Sequence, residues 1–188
     1  ILPLGEYLAR NIPARVRPPR ELSAYSNFGA ALAGYIVEQV SGMSFDEYIE
    51  QKIFAPLNMH NSTFRQPPPS DLNVDVSVGY TYANGIYHAG AFEYGQLPPA
   101  GSMSTTATDI AKFMIAHLQN GRYENSRILQ NTTGEQMHSH LFTHDPKVNG
   151  WAYGFAELNL NDHRMISHGG DLQLFHTSLV LLPEHNLG

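Results

Sequence analysis

The sequence predicts an α+β fold in which a mainly helical region, about residues 1–145, is followed by antiparallel strands over about residues 146–188. Apolar residues recur at helical spacing behind capping signals in the first region. Short apolar runs separated by turn residues follow, and connections this short join antiparallel strands. With 188 residues, of which 42% are hydrophobic, we expect a single domain over residues 1–188.

The composition excludes several classes of protein. The chain has no cysteine, which rules out disulfides, thiol catalysis and zinc–thiolate sites. Its net charge of -6 argues against a nucleic-acid partner. No apolar run approaches the roughly 20 residues of a membrane span. The sequence begins at Ile1 without an initiator Met or a signal peptide, so we expect a fragment or a processed form.

The first elements are a short helix over residues 5–11 and an extended connection over residues 12–21. Proline disfavours helix in the residue before it, and this connection contains prolines near both ends. It also contains Arg15, Arg17 and Arg20. These arginines form either an anion-binding patch or a solvated loop, and the charge pattern favours the loop.

A long amphipathic helix is predicted from about Phe28 to Ser41. Asn27 is well placed to cap its N-terminus, and Gly42 follows as its C-terminal stop. The apolar face of this helix is expected to be buried. Its members are Phe28, Ala31, Leu32, Tyr35, Ile36 and Val40.

Capping residues mark the start of three further helices, and a proline or a glycine ends two of them. Each start combines a hydroxyl side chain with an acidic or amide residue three positions later. The pairs are Ser44 with Glu47, Thr106 with Asp109, and Thr133 with Gln136, and the stops are Pro56 and Gly121.

A hairpin and a three-stranded meander complete the predicted elements. Asn84-Gly85 is typical of a type I′ turn, so Val78–His88 is predicted to form a hairpin. The last strand of the meander is almost continuously apolar, which predicts burial on both of its faces. The meander strands are Trp151–Leu158, His163–Ser167 and Phe175–Leu182.

Two short motifs are candidates for chemistry. Tyr25-Ser26-Asn27 holds a phenol, a hydroxyl and an amide at a helix start, where the helix dipole favours negative charge. The alternative is a capping Asn beside a core Tyr. His168-Gly169-Gly170 is predicted to lie in the turn between the last two strands, where a ligand can approach the backbone. The alternative there is a plain Gly-Gly turn with an exposed His.

Other residues give weaker signals. Tyr94 lies in a predicted loop, where an aromatic side chain either walls a substrate cleft or makes a satellite core contact. His138, His140 and His144 fit no metal-binding template, so no metal site is predicted. The sequence contains no Gly-x-Ser-x-Gly nucleophile elbow and no Ser-x-x-Lys.

Four stretches of the chain carry a resemblance to a known family. They are Tyr25–Gly29, Ser41–Met59, Pro99–Asp109 and His168–Asn186, and their order and spacing extend over most of the chain. In these stretches the chain resembles the penicillin-recognising serine hydrolases of the class C β-lactamase type. That family includes β-lactamases, D-Ala-D-Ala carboxypeptidases, D-aminopeptidases and certain esterases. The resemblance implies a β-lactamase/transpeptidase-like fold.

The resemblance also implies catalytic residues. Tyr25 and Asn27 match the family's second motif, Tyr-x-Asn, and His168 and Gly170 match its third motif, His-x-Gly. The first motif, Ser-x-x-Lys, carries the nucleophile and lies upstream of these stretches in the family. We therefore expect this chain to be a partial domain, incomplete at both ends, and we expect Tyr25 and His168 to line opposite walls of one pocket.

The roles implied by the resemblance follow the chemistry of acyl transfer. Tyr25 would take the nucleophile's proton, alone or as a relay with the lysine of the first motif. Asn27 would orient that lysine and hold the substrate's amide, and His168 would face Tyr25 and the substrate carboxylate. The N–H of Asp171 would donate to the oxyanion. The substrate-binding set is Gly169, Gly170, Asp171 and Tyr94.

The function implied is cleavage of an amide or ester in a small molecule or peptide through an acyl-enzyme, without a cofactor. A His where many relatives have Lys favours a peptidase or esterase over a β-lactamase. One alternative is a non-catalytic fragment or ligand-binding module that retains the cleft. A weaker alternative is a metal hydrolase that uses the histidines. The resemblance places the parent protein outside the cytoplasm, in the periplasm or secreted.

Overall fold

The computed structural model describes residues 2–19, 21–73 and 76–188 and confirms an α+β fold with antiparallel sheets. The helices are α1 (Leu4–Arg10), α2 (Asn27–Ser41), α3 (Phe45–Ile49), α4 (Ser70–Asn73), α5 (Ala107–Leu118) and α6 (Asn131–His138). The strands are β1 (Tyr80–Ala83), β2 (Ile86–Ala89), β3 (Arg122–Tyr123), β4 (Ser126–Arg127), β5 (Ala156–Leu160), β6 (His163–Asp171) and β7 (His176–Leu181).

In residues 11–19 and 21–26, the connection between α1 and α2 contains no helix or strand and is mostly exposed, as expected from its prolines. Arg15 and Arg17 lie on its surface, whereas Arg20 lies outside the described residues. None of the helices in the described ranges combines the length and the hydropathy needed to cross a membrane.

Helix α2 begins one residue earlier than predicted, because Ser26 is its N-cap. The Ser26 hydroxyl accepts a hydrogen bond from the N–H of Gly29 at 3.0 Å. The prediction that Asn27 caps the helix is therefore wrong, and Asn27 is the first helical residue. The helix ends as predicted at Gly42, whose positive φ of 69° closes it in the left-handed conformation.

The predicted buried face of α2 is only partly correct. Ala31 is fully buried, but Leu32, Ile36 and Val40 are 41%, 54% and 84% exposed. The helix packs instead through its small residues. A Cβ on Gly34 would lie 2.5 Å from Pro99 Cγ, so the close approach of the Pro98–Ala100 turn requires glycine there.

The capping box that begins α3 is confirmed. Ser44 accepts from the N–H of Glu47, and the Glu47 carboxylate accepts from the N–H of Ser44. The helix continues as one wider turn over Glu50–Phe54, in which the N–H of Ala55 donates to the carbonyl of Glu50. This turn directs Phe54 into the first core cluster, with Leu57, Met59 and Ala116.

Helices α5 and α6 differ slightly at their ends from the prediction. Thr106 caps α5 by accepting from the N–H of Asp109, but the helix ends at Leu118, before Gly121. Gly121 has a φ of 92° in the turn that follows. Helix α6 begins at Asn131 and not at Thr133, a shift that side-chain signals alone do not resolve.

The predicted hairpin is confirmed. Strands β1 and β2 pair antiparallel, and the two turn residues Asn84 and Gly85 have φ values of 53° and 80°, as a type I′ turn requires. The base of the hairpin packs against Leu174. The backbone of Gly90 approaches this side chain so closely that a Cβ at position 90 would lie 2.0 Å from Leu174 Cδ1. The hairpin therefore docks on the turn between β6 and β7.

The meander has the order β5-β6-β7, with both pairs antiparallel. Its first strand begins at Ala156 rather than Trp151, which makes only isolated bridges to Phe142 and Ala156. The prediction that His168-Gly169-Gly170 lies in a turn is wrong. These residues extend β6 and pair with Thr177–Leu179 of β7, so the turn comes later, over residues 172–175.

The prediction that the last strand is buried on both faces is also wrong. Most of β7 is exposed or half-buried, and only its last residue, Leu181, is fully buried. Leu181 joins Ala152, Phe155 and Ile166 in the second core cluster, against which Met114 and Leu118 of α5 pack. The helical layer thus covers only the end of this strand.

Candidate active site

Tyr25 and His168 come together although they lie far apart in the sequence. Their ring centroids are 5.9 Å apart, and the ring planes are inclined by 58°. Tyr25 immediately precedes the N-cap of α2. His168 lies in β6, just beyond the predicted strand His163–Ser167. Tyr25 is 58% exposed, so the two rings meet on an open surface and not as walls of an enclosed pocket.

The backbone fixes the orientation of His168. Its Nδ1 lies 2.7 Å from the carbonyl oxygen of Gly169. A carbonyl accepts only, so Nδ1 carries a proton in this contact. The neutral ring then has its lone pair on Nε2, and within the described residues Nε2 has no hydrogen-bond partner.

The start of α2 leaves Asn27 available for chemistry. Ser26 already satisfies the N–H of Gly29, so the helix does not need the Asn27 side chain as a cap. In the described part of the chain, the Asn27 amide is exposed and makes no hydrogen bond. Tyr25 and Asn27 also lie at the positive end of the 15-residue helix dipole, which favours an anion nearby.

The strand that carries His168 has one open edge. Strand β5 pairs with β6 only over residues 163–167, whereas β7 pairs as far as Asp171. The edge of His168–Asp171 opposite β7 therefore has no neighbouring strand among the described residues. A Cβ on Gly169 would meet nothing closer than Thr177 O at 3.7 Å, so this part of the strand is also sterically open.

Two residues of β7, His176 and Thr177, complete the surroundings of the glycines, and no sequence motif points to either of them. The Asp171 carboxylate contacts Nδ1 of His176 at 2.7 Å, and both side chains are exposed. Thr177 pairs with Gly170, and its hydroxyl lies 2.7 Å from the position of a Cβ on Gly170. Only the strand register shows which side chains neighbour the glycines. A shift of one residue in the pairing would turn each side chain of the strand to the opposite face of the sheet.

The loop that carries Tyr94 is attached to the turn after β6. The Glu93 carboxylate accepts from the N–H groups of Gln173 and Leu174, both at 3.3 Å. Tyr94 itself is 58% exposed and packs edge-on against Phe92, with centroids 4.9 Å apart. This places the Tyr94 loop beside the end of the strand that contains Gly169, Gly170 and Asp171.

The three histidines considered as metal ligands, His138, His140 and His144, do not converge on one site, because each contacts a different residue. His138 contacts His117, His140 contacts Glu157, and His144 accepts from the N–H of Ser23. Across residues 2–19, 21–73 and 76–188, no group of three or more His, Asp or Glu side chains is arranged to hold a metal ion.

The buried pair His117 and His138 is structural rather than part of this site. Nδ1 of His117 lies 3.1 Å from Nε2 of His138, and the rings pack against Phe113 and Phe155. Burial and the neighbouring His138 lower the pKa of His117 from 6.5 to about 4. Both imidazoles are therefore neutral near pH 7.

Comparisons with known proteins show the family to which the chain belongs. The family model described as Beta-lactamase matches residues 6–188. Beta-lactamase-like protein 2 of Dictyostelium discoideum is 27% identical over 92% of the chain, which covers 31% of that protein. Penicillin-binding protein 4 of Amycolatopsis lactamdurans is 28% identical over 74% of the chain, which covers 38% of that protein.

A solved structure has the same fold. The octameric penicillin-binding protein homologue from Pyrococcus abyssi aligns with a TM-score of 0.75 and 27% identity. The alignment covers 90% of this chain and 38% of that one. The chain thus spans about a third of the length of the relatives it matches. On the match of the family model to almost all of its residues, the chain belongs to the Beta-lactamase family.

Proposed function

We propose that this chain forms part of a serine hydrolase that cleaves an amide or ester through an acyl-enzyme. The observation that carries the proposal is the contact between Tyr25 and His168, whose rings lie 5.9 Å apart. Family membership supports a hydrolase, and the order of the Tyr-x-Asn and His-x-Gly motifs supports this chemistry. The serine would come from a Ser-x-x-Lys motif outside residues 1–188, in what we call the parent hydrolase.

The first step of the proposed mechanism is removal of the serine proton. A phenol is a weak acid, so Tyr25 needs cationic neighbours to act as a base at neutral pH. The dipole of α2 and the positive or hydrogen-bonding character of His168 would both favour a phenolate or a proton relay. The proton passes from the serine through Tyr25 to the leaving amine or alcohol when the acyl–serine bond forms.

The second requirement is a place for the substrate. The open edge of His168–Asp171 is suited to pair with an extended, peptide-like substrate, because its backbone groups have no neighbouring strand in the described part of the sheet. The N–H of Asp171 would donate to the oxyanion, and Tyr94 would contact the substrate from the adjacent loop. Asn27 would hold the substrate's amide with its free side chain.

Covalent labelling tests the reaction class. The parent hydrolase is incubated with a fluorescent penicillin and with p-nitrophenyl acetate, and its intact mass is measured. The proposal expects an adduct with the mass of the acyl group on the serine of Ser-x-x-Lys. Hydrolysis without an adduct, abolished by EDTA, would instead support the metal-hydrolase alternative.

The same labelling distinguishes the hydrolase from a non-catalytic binding module. We expect the 188-residue chain alone to bind no acyl group, because it contains no Ser-x-x-Lys. Stoichiometric labelling of the isolated chain would contradict this division of roles. A parent protein that binds a peptide or penicillin reversibly, without turnover, would support the binding module. By the same resemblance we propose that the parent hydrolase acts outside the cytoplasm.

A further inference from the structure

A cavity that neither Tyr25 nor His168 lines lies between the segment that follows α6 and the strands β5 and β6. We call it the Arg164 cavity. Its volume is about 380 Å³. Its walls include His140, Thr143, Val148, Gly150, Glu157 and Arg164. None of the residues assigned to hydrolysis lines it, so it needs an explanation of its own.

A buried ion pair forms the floor of the Arg164 cavity. Glu157 is 5% exposed, and its Oε1 accepts from Nε of Arg164 at 2.9 Å. Its Oε2 lies 2.5 Å from Nδ1 of His140. Burial acts to raise the pKa of Glu157, but the hydrogen bonds from Arg164 and His140 hold that pKa below its usual value. The carboxylate is therefore ionised, and both of its oxygens already accept hydrogen bonds from the protein.

Gly150 leaves space beside the ion pair because it has no side chain. A Cβ on Gly150 would lie 2.7 Å from Glu157 Oε2 and 2.7 Å from His140 Cε1. Glycine at this position lets the segment approach the ion pair closely without filling the cavity.

One strong donor remains for a ligand. Arg164 uses Nε and Nη2 for Glu157 and for the carbonyl of His138. Its Nη1 has no acceptor among the described residues, and the side chain is 32% exposed. A guanidinium stays charged at any physiological pH and binds carboxylates with well-defined geometry. The adjoining wall at Pro146 and Val148 is apolar.

We propose that the Arg164 cavity binds a small carboxylate with a short alkyl chain. The carboxylate accepts from Arg164 Nη1, and the alkyl chain lies along Pro146 and Val148. The volume is sufficient for a chain of a few carbons, and Glu157 is already neutralised by its own partners, so it does not repel the ligand across the cavity. This site is independent of the proposed hydrolase chemistry.

The chain contains its own reporter for this site. Trp151 is the only tryptophan, it follows Gly150, and its N–H donates to the carbonyl of Phe142 beside the cavity. Hexanoate, hexanamide and hexylamine are titrated into the 188-residue chain while Trp151 fluorescence is recorded. We expect a saturable change with hexanoate, an affinity at least about tenfold lower for hexanamide, and no saturation with hexylamine.

Two variants and one matched control complete the test. Val148→Phe fills the cavity at a position that is 55% exposed, and Val78→Phe makes the same change elsewhere at a position that is 52% exposed. Binding of hexanoate should be lost in Val148→Phe and unchanged in Val78→Phe. Arg164→Lys keeps the charge but has a single nitrogen, which cannot serve both Glu157 and the ligand, so the affinity for hexanoate should fall about tenfold.

Thermal unfolding midpoints show whether each variant folds. If Val148→Phe does not fold, the comparison of hexanoate with hexanamide and with Arg164→Lys decides. Equal titrations with hexanoate and hexanamide, or full binding by a folded Val148→Phe, would show that the cavity holds only solvent around a structural ion pair and would overturn the proposal.

Discussion

Buried polar side chains in this protein are matched by partners that often come from distant parts of the sequence. Asp109 is 1% exposed, and its carboxylate accepts from the N–H of Asn61, from the hydroxyl of Ser62 and from Lys112. Within the described ranges, no buried side-chain nitrogen or oxygen lacks a partner. Such residues connect the helices to the loops, and their loss should be costly.

Replacing Asp109 should destabilise the fold strongly. Asp109→Ala removes the acceptor for three donors, two of which belong to the segment before residue 63, and we expect a loss of about 3 kcal/mol in the free energy of unfolding. Asp71→Ala, at an exposed position, is the control and should cost less than about 0.5 kcal/mol. Urea denaturation measures both. Equal effects of the two substitutions would contradict the structural role of Asp109.

His117 should make the fold sensitive to acid. Its pKa is about 4 when folded and 6.5 in an ordinary environment, so between these pH values the unfolded chain binds more protons. Stability is complete above about pH 6.5 and decreases as the pH falls, by about 3 kcal/mol at pH 4 from this group alone. Burial lowers the pKa of His138 too, and that residue adds to the loss in the same direction.

The variant His117→Gln tests this assignment. Glutamine keeps a hydrogen-bonding side chain near His138 but does not titrate. Urea denaturation at a series of pH values from 7 to 4 should show a clearly smaller loss of stability in the variant than in the natural protein. Parallel pH profiles for the two proteins would mean that other groups cause the acid sensitivity.

At the scale of secondary-structure elements, the sequence predicts correctly those features that depend on neighbouring residues. The capping box at Ser44, the Asn84-Gly85 turn and the stop at Gly42 depend on neighbouring backbone atoms, and the structure confirms all three. The exposed face of α2 and the extension of β6 through His168 depend on distant partners. The sequence does not display those partners, so the predictions for both elements were wrong in part.

The candidate site shows the same division. Periodicity located Tyr25 at a helix start, but its proximity to His168 was expected only from the family resemblance. The sequence does not predict a place in the site for Glu93 or His176, because an isolated acidic or imidazole side chain belongs to no recognisable motif. They become visible only when strand register and the docking of the hairpin are known.

The start of α2 yields a prediction that separates stability from activity. Ser26→Ala removes the cap and should cost about 1 kcal/mol in the free energy of unfolding. Asn27→Ala leaves the cap in place and should change stability by less than about 0.5 kcal/mol. In the parent hydrolase, however, Asn27→Ala should lower kcat/KM for a peptide or ester substrate by about tenfold or more. A large stability loss in Asn27→Ala with normal activity would return Asn27 to a capping role.

At the scale of the whole molecule, three parts of the chain meet at one surface. The helical region supplies Tyr25 and Asn27, the meander supplies His168 to Asp171, and the hairpin docks against the turn after β6 through Leu174. Long-range packing of these three parts, rather than any single motif, produces the arrangement on which the proposed chemistry depends.

The most direct test is a double-mutant cycle on Tyr25 and His168 in the parent hydrolase, with kcat/KM for p-nitrophenyl acetate as the measured quantity. Tyr82→Phe and His60→Ala are the matched controls at exposed positions. We expect Tyr25→Phe and His168→Ala each to lower kcat/KM by about 10²-fold or more, and the double variant to lose much less than the product of the two. Near-normal activity in Tyr25→Phe, or fully multiplicative losses, would contradict a joint role for these two residues.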